Sequence, residues 1–564
     1  MEEKLGAKKR LAHFSSLIVF ISLIAFTLRG QDTPLLWPAY NDSIEINRSL
    51  ENENPRMHFK LLTSRVTDRN EVFKPLLEEV KKLSEQEYQR LKPLILEQDI
   101  ISLQKHINEG SLTYENLVLF YLYRIYHYEL DPQKTLYTII ALNENVVEQA
   151  RALDSTKSNN FNGINHPIYG MPILLKDNIG TQDMYTTAGA VALQRNKTED
   201  AFIVKQLRNK GALILGKVNL SEWAYYMCRG CPVGYSAIGG QTLNPYGRGI
   251  FESGGSSSGS GAAVAANYAV AAVGTETSGS ILSPSSQNSV VGLKPTIGLL
   301  SRTGIVPISS TLDTPGPMTR NVVDNAILLS AMTGKDKADK KSTGTNEDYL
   351  NAVLNAGTLK GKRLGVFKDL LETDSIYKNT VNRLRKLGAI IFEFTAPDVS
   401  MDGFLTLLNI DMKNDLPEYL NANVQNKKEI PMRTLEEIVK FNLADSLLRI
   451  PYGQSIFEGI LKDSTSLEGL EIIKNRLENN GRIFFDTVMD GENLDAILSI
   501  NNYHAGYAAV AKYPALTIPM GYKETGEPIS LTFISKQFQE PNLLKLGRAF
   551  ETATNLRKTP KAYK

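Results

Sequence analysis

Three separate segments of the chain carry side chains suited to nucleophilic catalysis. Lys176 ends the apolar run in "YGMPILLKDNIG", Ser256 lies in the Gly/Ser-rich stretch 253–261, and Ser280 lies in "GTETSGS". The serines lie 24 positions apart, counted from 256 to 280, which fits one helix plus one strand returning beside the first loop. A serine hydroxyl is a weak nucleophile that needs a base. The segments therefore predict a serine hydrolase in which a lysine lies close to both serines.

The Gly/Ser-rich stretch 253–261 has three other interpretations. A flexible linker is disfavoured by the apolar, structured sequence that flanks the stretch on both sides. A phosphate-binding loop would end in Gly-Lys-Ser/Thr, which is absent. Residues 255–259 match the G-x-S-x-G nucleophile elbow, but that elbow follows an apolar strand, whereas "NPYGRGIFES" precedes this one. It would also need a histidine downstream, for which His504 is the candidate.

The same segments resemble the amidase signature family. The similarity is carried by "GMPILLKDNIG", "GGQTLNPY", "SGGSSSGSGAAVAA", "VGTETSGSI" and "LDTPGPMTR", and it spans roughly residues 95–557. Within the family these sequence segments are most similar to the stand-alone bacterial peptide-amidase-like branch. The resemblance implies an α/β fold, an α/β/α sandwich whose large mixed central sheet is covered by helices. It also implies hydrolysis of a carboxamide to an acid plus ammonia or amine, without cofactor or metal.

The resemblance places the family's Ser–cisSer–Lys triad on Ser280, Ser256 and Lys176. Ser280 would be the nucleophile and would form an acyl-enzyme, and Ser256, preceded by a cis peptide bond, would relay the proton to Lys176 and back. Burial must lower the pKa of this lysine from ~10.4 toward ~7–8, because a charged lysine is a poor base. The family's oxyanion-hole positions are the main-chain N–H groups of Thr277, Ser278, Gly279 and Ser280.

Some residues depart from the family pattern or have other expected roles. Ser278 stands where the family often has Gly or an acid, and Leu282 stands where many members have Arg, so the substrate stays open. Asp313 and Arg320 are expected to be structural, pairing within the core around the site. His504 is expected either to border the pocket or to have a surface or packing role.

Composition limits the partners of the chain. Its 564 residues carry a formal net charge of +2, which gives no reason to expect nucleic acid, and the expected partner is a small-molecule or peptide amide. The two cysteines, Cys228 and Cys231, lack further ligands for a zinc site. A local disulfide and two free thiols both remain open. The sequence does not determine the oligomeric state.

The N-terminus has the pattern of an export signal. A basic cluster at residues 4–10 precedes the apolar run "FSSLIVFISLIAFTL", residues 14–28. This run is shorter than the ~20 residues that a membrane-spanning helix needs. We therefore expect residues 1–30 to be a signal peptide or N-terminal anchor that contacts the membrane during export. The predicted location is periplasmic or extracellular, either free or anchored through this segment.

The remaining chain divides into four predicted parts. Residues 31–60 form a linker, residues 61–94 an N-terminal helical extension, residues 95–557 the catalytic domain, and residues 558–564 a basic tail. Strand-like runs such as "GALILGKV", "KRLGVF", "LDAILSI" and "PALTIPMGY" alternate with helical segments, which favours an α/β/α body. Residues 400–490 are predicted to be largely helical and irregular.

Two other functions fit parts of the sequence. The chain resembles the amidase subunit of a glutamine-dependent tRNA amidotransferase, which needs cytoplasmic partners, and the predicted export signal argues against that role. A catalytically silent binding protein on the same scaffold is the second alternative. The presence of Lys176, Ser256 and Ser280 argues against it.

Overall fold

One large sheet of eleven strands, with helices packed around it, forms the framework of the protein. The computed structural model describes residues 36–38, 40–156, 166–345 and 347–564, and Trp37–Lys564 form one compact unit. The predicted export segment, residues 1–30, lies outside the described residues. Among the described helices, none combines the length and the apolar character that crossing a bilayer requires.

The strands are numbered in chain order. From β1 to β13 they are Ile139–Leu142, Pro172–Lys176, Leu213–Val218, Tyr235–Ser236, Gly240–Gln241, Ala271–Glu276, Val291–Lys294, Thr314–Thr319, Arg363–Phe367, Ile390–Phe394, Ala496–Ile500, Ala515–Tyr522 and Pro528–Ile534. The large sheet has the order β1-β3-β2-β6-β8-β7-β12-β13-β11-β9-β10, and β4 pairs with β5. This confirms the predicted fold class.

The helices of the described residues are numbered in the same way. From α1 to α10 they are Ser43–Ser49, Arg69–Phe73, Leu77–Val80, Glu85–Ile95, Ile100–Asn108, Tyr114–Glu129, Val146–Thr156, Phe202–Asn209, Ser258–Ala265 and Leu282–Gln287. From α11 to α21 they are Val322–Met332, Tyr349–Leu354, Lys368–Thr373, Ser375–Lys386, Phe404–Ala422, Leu435–Leu443, Ser446–Arg449, Ser455–Lys462, Leu467–Gly491, Ala505–Val510 and Glu540–Thr554.

Strand direction brings three chain segments to one edge of the sheet. Strand β2 runs parallel to β3 and to β6, so the carboxyl ends of these strands meet at the same edge. Strand β8 is antiparallel to β6, with Glu276 opposite Thr314, so β8 begins at that edge. Every residue of β2, β3 and β6 is buried, as expected for parallel strands covered on both faces.

The predicted strands and helices have counterparts in the structure, with one difference near the N-terminus. "KRLGVF" contains β9, "LDAILSI" contains β11, and "PALTIPMGY" contains β12, while helices α15 to α19 account for most of residues 400–490. The segment 31–60, expected to be a linker, instead contains α1 and buries Met57 and Phe59. The apolar side chains within this polar stretch supply the contacts that hold it against the body.

The Gly/Ser-rich stretch 253–261 is part of the interior and not a flexible linker. Its second half forms the start of α9, all of whose residues are buried. Gly254 has φ +65°, a left-handed conformation that favours glycine. A Cβ on Gly259 would lie 2.5 Å from the main-chain oxygen of Asn219. The glycines therefore permit a close approach of two backbones.

Candidate active site

Lys176 is the last residue of β2, and its side chain is completely buried. Its Nζ lies 2.7 Å from Ser256 Oγ, 2.8 Å from Thr275 Oγ1 and 3.1 Å from the main-chain oxygen of Thr275. Thr275 belongs to β6, the parallel neighbour of β2. The structure thus brings together Lys176 and Ser256, which are 80 positions apart in the sequence.

The three oxygens around Lys176 suit both of its protonation states. An ammonium group has three N–H donors, and three acceptors surround it here. A neutral amine has two N–H donors, which Thr275 can accept, and one lone pair, which is then left to face the hydroxyl of Ser256. Burial lowers the pKa of Lys176 to about 7, although the carboxylates of Asp313 and Glu276 oppose that shift. The amine can therefore exchange a proton near neutral pH.

Ser256 is held at the start of the segment that leads into α9. The peptide bond Gly255–Ser256 is cis, as the resemblance implies. The main-chain oxygen of Ser256 accepts a hydrogen bond from the N–H of Ser221 at 3.0 Å. The next N–H, that of Ser257, donates to the main-chain oxygen of Ser280 at 3.2 Å. This last bond joins the stretch around Ser256 directly to the segment that carries Ser280.

The elbow interpretation of residues 255–259 is not supported by the structure. Its central serine, Ser257, donates its hydroxyl to the main-chain oxygen of Thr275 at 3.0 Å and accepts from the N–H of Thr275 at 3.2 Å. The side chain is buried. It therefore links α9 to β6, whereas Ser280 is partly exposed.

Residues 277–280, here called the 277–280 turn, connect the end of β6 to the segment before α10. Within the described residues, the main-chain N–H groups of this turn have no hydrogen-bond partner. The turn is closed by the carboxylate of Glu276, which accepts from the N–H groups of Ile281 at 2.7 Å and Leu282 at 3.0 Å. These four N–H groups are those that the family resemblance implies for an oxyanion hole.

A cavity of about 700 Å³ is lined by Thr275 and Thr277, which adjoin Lys176 and Ser280 along the strands and the turn; Lys176, Ser256 and Ser280 themselves are not among its lining residues. Its lining includes Asn178, Thr275 and Thr277 near Lys176, and the main chain and side chains of residues 302–310. Helix α15 contributes Asp415, Glu418 and Tyr419 from the opposite side. A cavity of this size fits a small ligand or a short peptide segment.

The loop that contains both cysteines lies next to the Gly/Ser-rich stretch. Cys228 and Cys231 lie together with their Cα atoms 6.0 Å apart, a separation that a disulfide spans, which favours the disulfide among the alternatives that the sequence left open. In this loop Trp223, Ala224 and Tyr225 all have left-handed φ angles of 50°, 54° and 71°. Ala224 lines the cavity, so this unusual backbone forms part of its wall.

His504 and Arg320 both have packing or structural roles. The imidazole of His504 hydrogen-bonds Ser499 Oγ at 2.6 Å and stacks on Phe367 with ring centroids 4.0 Å apart. Burial lowers the pKa of His504 to about 4, so the ring is neutral at pH 7. Arg320 donates to the main-chain oxygen of Ala269 at 2.7 Å. It does not pair with Asp313 as expected, because Asp313 lies at the opposite end of β8, before Thr314.

Several residues at the site were not assigned a role from the sequence. Thr275 and Asn178 contact each other at 3.0 Å between Asn178 Nδ2 and Thr275 Oγ1, and Glu276 closes the 277–280 turn. Each follows or precedes a predicted functional residue by one or two positions at a strand end. That position was the available signal, because polar residues at converging strand ends face the same site.

Comparisons with known proteins agree with this geometry. A family model described as Amidase matches residues 116–466. A probable amidase of Arabidopsis thaliana is 36% identical over 480 residues, covering 83% of this chain and 92% of its own. The crystal structure of an amidase family protein from Bacillus anthracis has a TM-score of 0.83 and 36% identity, covering 89% of this chain and 99% of its own. Native peptide amidase from Stenotrophomonas maltophilia has a TM-score of 0.76 and 35% identity, covering 82% of this chain and 98% of its own.

Proposed function

Since the chain belongs to the amidase family, we propose that it hydrolyses its amide substrate through Ser280, with Ser256 as proton relay and Lys176 as base. The resemblance found in the sequence is thereby confirmed at the level of the family, and the protein is an amide-hydrolysing enzyme. The observation that carries the proposed mechanism is the contact of 2.7 Å between Lys176 Nζ and Ser256 Oγ in a buried site.

The proposed reaction begins with Ser280 Oγ attacking the carbonyl carbon of the amide. The proton of Ser280 passes to Ser256, and the proton of Ser256 passes to the lone pair of Lys176. When the tetrahedral intermediate collapses, the carbon–nitrogen bond breaks, and the proton returns through Ser256 to the leaving nitrogen. Water then attacks the acyl-enzyme by the same relay, which releases the acid and restores Ser280.

The N–H groups of the 277–280 turn are proposed to stabilise the oxyanion of the tetrahedral intermediate. Donors that are already oriented before the reaction need no reorganisation when charge develops, and each is worth about 3–4 kcal/mol in the transition state. Their lack of partners within the described residues supports this role. Thr277 also lines the cavity, which supports the proposal that the turn contacts the substrate.

The proposed substrate is a carboxamide, with the C-terminal amide of a peptide as the first candidate. The cavity is large enough for several residues of a peptide, and its lining combines apolar residues such as Ile305 and Val306 with charged residues such as Arg302 and Asp415. We further propose that residues 1–30 export the protein, on the basis of the basic and apolar pattern in the sequence. An exported enzyme would meet extracellular or periplasmic amides.

The experiment replaces Ser280 and measures ammonia release from a panel of peptide amides, fatty amides and small amides, with glutamine included. We expect Ser280→Ala to abolish release while the thermal melt stays close to that of the wild type. Ser283→Ala, a serine three positions further along, is the matched control and should keep activity. Full labelling of the Ser280→Ala protein by an active-site fluorophosphonate would show that another residue is the nucleophile.

A further inference from the structure

Thr277 begins the 277–280 turn, and its side chain is tied to a carboxylate. Thr277 Oγ1 donates a hydrogen bond to Asp313 Oδ1 at 2.5 Å. The other end of the turn is closed by Glu276, through the N–H groups of Ile281 and Leu282. Two carboxylates from neighbouring strand ends therefore hold the segment that carries Ser280.

The carboxylate of Asp313 is itself fixed. Its second oxygen, Oδ2, accepts from the N–H groups of Ile308 at 2.8 Å and Ser309 at 2.9 Å. The N–H of Asp313 donates to the main-chain oxygen of Ser309 at 2.9 Å. One oxygen is thus bound to the loop before β8 and the other to Thr277, so the carboxylate is a rigid bridge between two walls of the cavity.

Asp313 also affects the electrostatics at Lys176. It is the strongest charged influence that opposes the desolvation of Lys176, and Glu276 is the second. On the neighbouring strand, Lys217 pairs with Asp177 at 3.1 Å, and both side chains are buried. Burial raises the pKa of Asp313 itself, while the hydrogen bonds from Thr277, Ser309 and Ile308 favour its ionised form. The ionised carboxylate favours the protonated amine, so loss of that charge lowers the pKa of Lys176.

From these contacts we infer that Asp313 is a positioning residue of the amide hydrolysis: its carboxylate orients Thr277 at the start of the 277–280 turn, from the same sheet edge at which β2 ends in Lys176. The inference rests on the proposed function, because its orienting effect acts through the turn that carries Ser280 and its charge effect acts through the proposed base. It replaces the purely structural role that the sequence predicts for Asp313.

Two substitutions separate the orienting effect from the charge effect. In Asp313→Asn, the amide oxygen can still accept from Ile308 and Ser309, and the amide N–H₂ can donate to Thr277 Oγ1, so the link persists without charge. Thr277→Val removes the link and keeps the carboxylate. Thr277→Ser keeps the hydroxyl and serves as the conservative rescue.

The readout is the rate constant for modification of Ser280 by a fluorophosphonate, measured across pH in the full chain. Mass spectrometry identifies the modified residue. For Asp313→Asn we expect the midpoint of the pH–rate curve to move to lower pH. For Thr277→Val we expect the plateau rate to fall by about tenfold or more, because misplaced groups lose rate steeply, and Thr277→Ser should restore most of it.

Asp324→Asn is the matched control, since Asp324 is a buried aspartate in the first turn of α11. Its Oδ1 accepts from the N–H of Ile100 at 2.8 Å, and it is not among the charged groups acting on Lys176. In Asp324→Asn the midpoint of the pH–rate curve and the plateau rate of Ser280 modification should equal those of the wild type. Thermal melts check that each variant folds. If Asp313→Asn does not fold, the plateau rates of Thr277→Val and Thr277→Ser test the inference.

Two results would contradict the inference: an unchanged midpoint in folded Asp313→Asn, or an undiminished plateau in Thr277→Val. If wild-type Ser280 is labelled, either result overturns the inference and leaves the proposed function intact. Absence of labelling at wild-type Ser280 overturns the proposed nucleophile and the inference with it.

Discussion

At the scale of single residues, the site depends on one buried amine whose proton affinity is reduced. Among the residues that the structure describes, no carboxylate contacts Lys176 directly, and its hydrogen-bond partners are the neutral oxygens of Ser256 and Thr275. Desolvation therefore dominates, and the pKa of Lys176 falls to about 7. A direct ion pair would have kept the amine protonated and unable to accept a proton from Ser256.

The first residue-scale prediction concerns which group is the base. We expect Lys176→Ala to lose amide hydrolysis by several powers of ten, because the relay loses its proton acceptor. His504→Ala should keep activity within about tenfold, or ~1.4 kcal/mol, because the His504 ring hydrogen-bonds Ser499 Oγ and stacks on Phe367. Rates of ammonia release under one substrate check both variants, and the opposite ranking would indicate a serine–histidine enzyme.

The pH dependence of the wild-type rate follows from the same amine. Only the neutral form of Lys176 accepts a proton, so activity should be low in acid and rise with pH to a plateau. The midpoint should lie near 7, the pKa that burial gives Lys176. A pH–rate profile of kcat/KM measures it, and a rate that falls as pH rises from 5 to 8 would contradict the assignment of Lys176.

At the scale of elements, the Gly/Ser-rich stretch and α9 hold Ser256 through backbone contacts that need glycine. Gly259 donates its N–H to Asn219 at 2.9 Å, and no room for a methyl group remains at that contact. Because Ser256 lies three positions earlier, any displacement of this helix start moves the hydroxyl that faces Lys176. The stretch therefore supports the site structurally and also contains Ser256.

Two helical glycines test this support. Gly259→Ala should lower the free energy of unfolding by about 1–3 kcal/mol through overpacking and should also reduce activity. The control is Gly459→Ala in α18, where a Cβ would meet no atom within 4 Å. That variant should gain up to about 1 kcal/mol from helix propensity. Urea unfolding and ammonia release measure both, and equal stability of the two variants would contradict the role of Gly259.

The loop that follows β3 contains the buried carboxyl group of Glu222, whose pKa is raised. Burial raises the pKa of Glu222 from 4.5 to about 8, against one hydrogen bond from the N–H of Ala237. The folded state therefore binds the proton more tightly than the unfolded state does. This contribution to stability is complete below pH 4.5 and is lost as pH rises toward and through 8.

Glu222→Gln should remove that dependence, because an amide stays neutral and can still accept from Ala237. The melting temperature of the variant should approach that of the wild type near pH 4.5 and exceed it increasingly as pH rises to 8. Thermal melts at several pH values measure the difference. A variant whose advantage shrinks as pH rises would show that the carboxyl group is ionised in the folded protein.

At the scale of the whole molecule, one compact unit contains every residue of the site. Trp37–Lys564 include the complete eleven-stranded sheet and the helices around it. Helices α15, α16, α18 and α19 form a hydrophobic cluster with side chains from residues 223–227 and 306–312. This cluster joins the C-terminal helices to the wall of the cavity, so catalysis and substrate binding depend on the fold of the full unit.

A chain that begins at Trp37 should therefore keep the melting temperature and the amidase activity of the full chain. Residues 1–30 should be required for export alone, as their sequence pattern predicts. Cell fractionation of both forms measures location, and ammonia release measures activity. A full-length chain found soluble in the cytoplasm would contradict the export proposal, and an inactive shortened chain would contradict the independence of the unit.

The sequence by itself determined the family, the fold class and the buried strand that ends at Lys176. These follow from patterns within short segments, where apolar runs, glycines and serines stand at fixed spacing. Local patterns also distinguished the stretch around Ser256 from a linker, because apolar sequence flanks it on both sides.

Only the tertiary structure decided which groups surround Lys176 and which do not. Thr275 and Asp313 reach the site because β2 and β6 end, and β8 begins, at one edge of the sheet. Arg320 lies at the far end of β8, and His504 is buried between Ser499 and Phe367. Contacts between positions more than 90 residues apart depend on strand order and direction, and no periodicity within a segment encodes that order.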